Sequence, residues 1–219
     1  MSKIAAIDAV RPDPAVLRRA VAILQKGGLL VIPTRHLYGL AVDALNPQAV
    51  QRVFEVKRRP ADRPLLILVP SRGAVTTYAR DVEGPAEMLM DTFWPGKLTI
   101  ILKATPLLPS VLTGGTGRIG IRLPEHPVCR AIVASWQRPI TATSANLSGQ
   151  PGCHRVEDLT SAILSAADLV LDAGPLQPGI GSTVVDAQPT RIQVLREGAI
   201  AIQAIKAAVR CPVIPPMPG

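Results

Sequence analysis

Short apolar runs alternate with helix-length amphipathic stretches along nearly the whole chain, and that rhythm limits the folds open to it. Strand-length runs stand at 29–32, 65–69, 98–103, 119–123, 140–143, 169–172, 183–186 and 192–195. Between them the spacing predicts helices at 15–26, 46–57, 85–93, 126–136, 156–166 and 199–209, with another helical stretch beginning at Ser71. In the first, Val16, Leu17, Ala20, Val21 and Leu24 form one stripe, closed by Gly27-Gly28. Asn46 followed by Pro47 is a cap and first-turn proline for the second. Interleaved elements of this kind make an α/β domain, a sheet flanked by helices. The links are uneven and some are too short for a helical crossover, so the sheet should be mixed. Hydrophobic residues are 47% but aromatics only 3%, which leaves Leu, Ile, Val and Ala to fill the core. One domain over 1–210 is expected, followed by a proline-punctuated, mobile tail over 211–219.

Charge and cysteine usage narrow the partners. The 24 Lys+Arg against 16 Asp+Glu leave a formal charge of +8, which favours a phosphate-bearing or nucleic-acid partner, with a solubilising surface as the alternative. Cys129, Cys153 and Cys211 are odd in number and lack a C-x-x-C pair, so neither a disulfide framework nor a zinc site is supported. The apolar runs are far shorter than a membrane span, and Lys3 and Asp8 interrupt the start. A cytoplasmic setting and no membrane partner are expected.

Two stretches carry the chemistry. Lys57-Arg58-Arg59-Pro60-Ala61-Asp62-Arg63-Pro64 sets four cations at a helix C-terminus and the loop after it. Helix-end capping accounts for one or two of them; the remainder point to phosphate. Thr143-Ser144-Ala145-Asn146-Leu147-Ser148-Gly149 follows a short strand, where open α/β sheets place ligands, although Ser and Asn also serve as ordinary caps. Gly115-Thr116-Gly117-Arg118-Ile119-Gly120 spells G-x-G-x-x-G but leads into a strand and Pro124 instead of a helix, which argues against a dinucleotide fold. No serine lies in a G-x-S-x-G elbow, and His126 reads as a helix entry. Asp43, Asp172 and Asp186 show no metal spacing, so no protein-held metal is predicted.

Taken in order, seven pieces over roughly 10–205 resemble the YrdC/Sua5 family, the threonylcarbamoyl-AMP synthases of tRNA modification. They begin with Pro33-Thr34-Arg35-His36-Leu37-Tyr38-Gly39-Leu40, the 57–65 cluster and Phe93-Trp94-Pro95-Gly96-Lys97-Leu98-Thr99. Gly120-Ile121-Arg122-Leu123-Pro124-Glu125-His126-Pro127, the 144–149 turn, Gly181-Ser182-Thr183-Val184-Val185-Asp186 and Leu195-Arg196-Glu197-Gly198-Ala199-Ile200 complete them. The resemblance implies a YrdC-like fold, a twisted mixed sheet with a concave basic face. The length is similar to that of short, single-domain members. The implied reaction joins L-threonine, bicarbonate and ATP into threonylcarbamoyl-AMP and pyrophosphate, with Mg2+ accompanying ATP. A separate transferase complex would carry the group to adenosine 37 of tRNAs reading ANN codons.

By the same resemblance, Lys57 and Arg59 are catalytic and face the ATP phosphates. Arg63, Arg118, Ser144, Asn146 and Arg196 complete the nucleotide side. Arg122 would meet the threonine carboxylate, with Thr34, His36, Tyr38, Thr143 and Ser182 lining the threonine and bicarbonate side. The chain departs from the family pattern at Arg35 (usually acidic), His36 (often threonine), Leu68, Lys97 (usually proline) and Gly152-Cys153-His154. Two other readings stand beside this one. The chain could be a non-catalytic module for tRNA or double-stranded RNA, since few aromatics are available for stacking on single strands. It could also be a related adenylyl or carbamoyl transferase with another acceptor.

Overall fold

The computed structural model describes residues 3–216; the last part of the tail reading, 217–219, lies outside the described residues. Strand β1 (Ile4–Ala6) precedes helix α1 (Pro14–Gln25), whose first turn is capped by Asp13 accepting from the Ala15 N–H at 2.7 Å. Then come β2 (Leu30–Pro33), β3 (Tyr38–Ala41), α2 (Pro47–Lys57), β4 (Leu66–Leu68), α3 (Val75–Tyr78) and β5 (Ala79–Arg80). The middle of the chain holds α4 (Pro85–Phe93), β6 (Leu98–Ala104), β7 (Arg118–Arg122), α5 (Pro127–Trp136) and β8 (Ile140–Ser144). It closes with α6 (Ser161–Ala166), β9 (Leu169–Asp172), β10 (Thr183–Gln188), β11 (Arg191–Arg196), α7 (Ile202–Ala208) and β12 (Val213–Ile214).

The described strands form one mixed sheet in the order β1-β9-β2-β3-β8-β4-β7-β6-β10-β11-β12, with β5 added beside β6. Strand alternation sends neighbouring side chains to opposite faces, and the two faces are covered unequally. In β2, Val31 joins one core while Leu30 and Ile32 join the other. The first core runs the length of the sheet and takes residues from α2, α4, α6 and α7, among them Phe54, Leu89, Ile163 and Ile205. The second is smaller and packs the β1 end against α1 and α5 through Leu24, Ile132 and Trp136. Beyond β8 that second face loses its helices, and Thr99, Ile101, Gly120, Arg122 and Val184 line a cavity there. Their neighbours Ile100, Ile119, Ile121 and Val185 are fully buried in the first core. The site is therefore the stretch of sheet that the helices leave uncovered.

Three expectations need correction. The sequence reading omits β1, β3, β5 and β12, each of which is short. The single helix read over 156–166 divides into a 3-10 turn, Val156–Asp158, and α6, because Thr160 starts a new helix as its N-cap. The tail is docked as far as Pro215: Val213 and Ile214 pair in parallel with Ile192 and Gln193, and the Gln193 amide donates to the Pro215 carbonyl at 2.8 Å. Among the described residues no helix is long and apolar enough to cross a membrane.

Candidate active site

The cavity has a volume of about 560 Å3 and is lined by five cations, Arg35, Arg59, Lys97, Arg122 and Arg196, against one carboxylate, Glu125. Its floor is shallow at Gly120, where a Cβ would come within 3.2 Å of the Leu66 Cβ and 3.3 Å of the Thr99 side chain. Any larger residue there would crowd both neighbouring strands.

The cation cluster is placed by the way α2 ends. Arg58 takes a left-handed conformation (φ 50°); its N–H donates to Glu55 at 3.0 Å and that of Arg59 to Phe54 at 2.9 Å, a Schellman closure. The reversed chain brings Arg59 to the cavity. Its guanidinium is braced by its own loop, Nε donating to the Arg63 carbonyl and Nη2 to the Pro64 carbonyl, both at 2.9 Å. Burial, with the Arg63 charge in support, holds Arg59 below its ordinary pKa.

Lys57 is placed differently from the expectation that it faces phosphate. It is 2% exposed and does not line the cavity. Its ammonium donates to the backbone carbonyls of Ser144 at 2.5 Å and Asn146 at 2.7 Å, and reaches the Asn146 Oδ1 at 3.4 Å. The Ser148 N–H returns a bond to the Lys57 carbonyl at 2.8 Å. The early cation cluster and the later serine–asparagine turn thus meet, and Lys57 is the clasp between them. Burial, helped by the Arg59 charge, lowers its pKa to about 8. Asn146 is also behind the cavity wall: its amide donates to Leu147 at 2.8 Å and Gln150 at 2.6 Å, closing the turn. Thr143 and Ser144 line the cavity itself.

The opposite wall is organised around two buried threonines. Ser182 and Thr99 share a hydroxyl hydrogen bond at 3.0 Å, and Arg196 Nη2 donates to the Ser182 carbonyl at 2.7 Å. The fully buried Thr183 hydroxyl donates to the Ile200 carbonyl at 2.6 Å and accepts from the N–H groups of Gly198 and Ile200, each at 2.9 Å. Between the walls, the side chain of Arg122 at the end of β7 makes neither a hydrogen bond nor an ion pair among the described residues. Burial lowers its pKa, with Arg196 and Arg35 adding to the effect while Cys129 and Glu125 oppose it. A half-buried guanidinium that no hydrogen bond or ion pair engages among the described residues is costly to hold charged, and an anion from outside is what would relieve it.

Other predicted residues are distributed as follows. His36 lines the cavity with Nδ1 2.9 Å from the Gln177 carbonyl oxygen. Thr34 also lines it, but its hydroxyl donates to the Leu37 carbonyl at 2.5 Å and so shapes the β2–β3 turn. Three side chains are outside the lining, contrary to expectation. Tyr38 is buried, donates to the Gly174 carbonyl at 2.7 Å, and has its pKa pushed up to about 12 by burial. Arg118 is occupied by an ion pair with Asp186. Arg63 contributes its carbonyl to Arg59. Conversely, Arg35, Lys97, Thr99 and Glu125 line the cavity without having been assigned to it. The first two were visible only as oddities in their motifs, and the other two flank residues that drew attention instead.

A family model named for Sua5, YciO and YrdC, and described as Telomere recombination, matches residues 22–198. The chain belongs to the Sua5/YciO/YrdC family. A threonylcarbamoyl-AMP synthase of Pyrococcus abyssi is 34% identical over 193 residues, 88% of this chain and 57% of the relative. One from Xanthomonas axonopodis pv. citri is 35% identical over 190 residues, 86% of this chain and 97% of the relative. Among solved structures, P. abyssi Sua5 complexed with L-threonine superposes with a TM-score of 0.87 at 31% identity, covering 97% of this chain and 62% of that one. Escherichia coli YciO gives 0.83 at 26% identity, covering 94% of this chain and all of that one. The chain spans less than two thirds of the length of the Pyrococcus relative.

Proposed function

We propose that this Sua5/YciO/YrdC-family chain is a threonylcarbamoyl-AMP synthase, a nucleotidyltransferase acting on L-threonine, bicarbonate or CO2, and ATP. The observation that carries the reading is Arg122, a guanidinium with no hydrogen bond or ion pair among the described residues, in a cavity lined by four more cations. Relatives named threonylcarbamoyl-AMP synthase support it. The threonine amine takes up CO2 with loss of one proton, forming a carbamate. A carbamate oxygen then bonds to the α-phosphorus of ATP as the bond to the α,β-bridging oxygen breaks, and pyrophosphate leaves. Such a transfer calls for positioning and positive charge and needs no protein nucleophile. In this scheme Arg59 and the Ser144 turn hold the phosphates, Arg122 takes the threonine carboxylate, and Thr143 and Ser182 flank the reacting groups.

Among the described residues no group of three or more His, Cys, Asp or Glu is placed to hold a metal ion. In this reading magnesium arrives on the nucleotide, bound mainly by its phosphates. The product would pass to a tRNA threonylcarbamoyl transferase complex for modification at position 37. The test is incubation with MgATP, bicarbonate and threonine: threonine-dependent pyrophosphate release with a new adenylate supports the reading, and its absence refutes it. The second reading, a non-catalytic module for tRNA or double-stranded RNA, is favoured by the +8 charge. It requires RNA binding that falls steeply with salt, with no ATP turnover.

A further inference from the structure

Arg35 lies in the turn between β2 and β3, and Glu125 in the segment after β7; both line the cavity. Arg35 Nε is ion-paired with Glu125 Oε1 at 2.8 Å, and each side chain is 32% exposed. Among the described residues the pair is joined by this single contact, and no other bond engages the terminal nitrogens of Arg35. A rim pair of this exposure adds little to stability, and a pair formed for strength would use the two-pronged geometry. Its effect is instead to hold one edge of the guanidinium and leave the other donors available. Glu125 is itself closely seated: a Cβ on Gly96 would come within 3.3 Å of its Oε2. Arg122 is near enough for the charges of both Arg35 and Glu125 to act on it.

We propose that Arg35 and Arg122 form a two-guanidinium seat for the carbamate of the amino-acid substrate, with Glu125 as the positioning residue that fixes Arg35. The inference rests on the proposed synthase reading and extends it to the group that holds the captured CO2. A free amino acid is a zwitterion and asks for one cation at its carboxylate. Once its ammonium has given up one proton and the resulting amine has taken up CO2 with loss of a second, it carries two carboxylate-type groups separated by the N–Cα link. Arg122 on the first and Arg35 on the second would select the dianion over the zwitterion, and would retain a species that reverts readily in water.

The test is pyrophosphate release by the full chain in CO2-depleted buffer, titrating bicarbonate, threonine and ATP separately. Arg35→Gln should raise KM for bicarbonate about tenfold or more while KM for ATP stays within about twofold. Arg35→Lys should recover part of the loss, since it restores the charge without the fork. Glu125→Gln should shift bicarbonate KM in the same direction, and the double variant should be no worse than Arg35→Gln alone, because Glu125 acts through Arg35. An unchanged bicarbonate KM in Arg35→Gln overturns the proposal. So does a uniform loss in all three substrates that tracks a common fall in Tm for both single variants. Absence of pyrophosphate release by the unmodified chain would instead overturn the synthase reading itself, and is scored first.

Discussion

Removing the Lys57 ammonium should weaken ATP binding although that ammonium lies outside the cavity lining, and Lys57→Met isolates the effect. Two terms of similar size oppose each other at this position. Lowering the pKa from 10.5 to about 8 corresponds to about 3 kcal/mol against the buried charge. Two short charged hydrogen bonds, to Ser144 and Asn146, return about 1.5–3 kcal/mol each. Methionine removes both terms but leaves two carbonyls unpaired, so unfolding in urea should show a net loss of only about 2 kcal/mol. The turn that carries Ser144 loses its anchor, and ATP affinity measured by calorimetry should fall about tenfold or more under the proposed reaction. Linkage supplies a sharper check. Below pH 8 folded and unfolded chains both hold the proton, and the full burial cost applies. Between about 8 and 10.5 the unfolded chain holds more protons, so stability of the parent relative to Lys57→Met should climb by up to about 3 kcal/mol. Over the same interval its ATP affinity should decline as ammonium becomes amine. Opposite slopes in one pH window are the signature. A stability difference flat from pH 7 to 10, or ATP affinity unchanged in Lys57→Met, would refute the clasp.

Three further outcomes follow from the same structure. Arg122→Gln should leave Tm unchanged or slightly raised, since it removes a half-buried charge that no hydrogen bond or ion pair engages among the described residues, while KM for threonine rises at least about tenfold in the pyrophosphate assay. Arg58→Gly should stabilise the chain by about 1 kcal/mol in denaturant unfolding, because glycine occupies the left-handed position at the end of α2 without the Cβ penalty. Thr183→Val keeps the shape but strands two N–H groups and a carbonyl, and should cost about 3 kcal/mol or more by the same measurement. A loss below about 1 kcal/mol would show that the 198–200 segment is held by other contacts.

Most elements were legible because their signals are local. The Asn46-Pro47 entry to α2 and the Gly84-Pro85 entry to α4 begin helices where the sequence places them. Family membership was legible for a related reason, as seven short motifs kept their order along the chain. What escaped was structure made by pairing. Strand β3 contains Gly39 and holds its place between β2 and β8, and β12 is two residues that pair with β11 and pack Val213 on the first core. Neither has enough apolar periodicity of its own to announce a strand.

The sequence by itself determined which residue types were available: a cation cluster at a helix end, a hydroxyl-rich turn, and arginines at the ends of two strands. Only the tertiary structure decided their directions. Lys57 and Arg59 are two residues apart, yet the left-handed turn at Arg58 leaves one ammonium buried against the 144–146 backbone and carries the other cation to the cavity. Arg118 and Arg122 share a strand, and one side chain is consumed by Asp186 while the other has no hydrogen bond or ion pair among the described residues. Hydrogen bonds and burial depend on what lies opposite a side chain in space, and neighbours along the chain do not specify that.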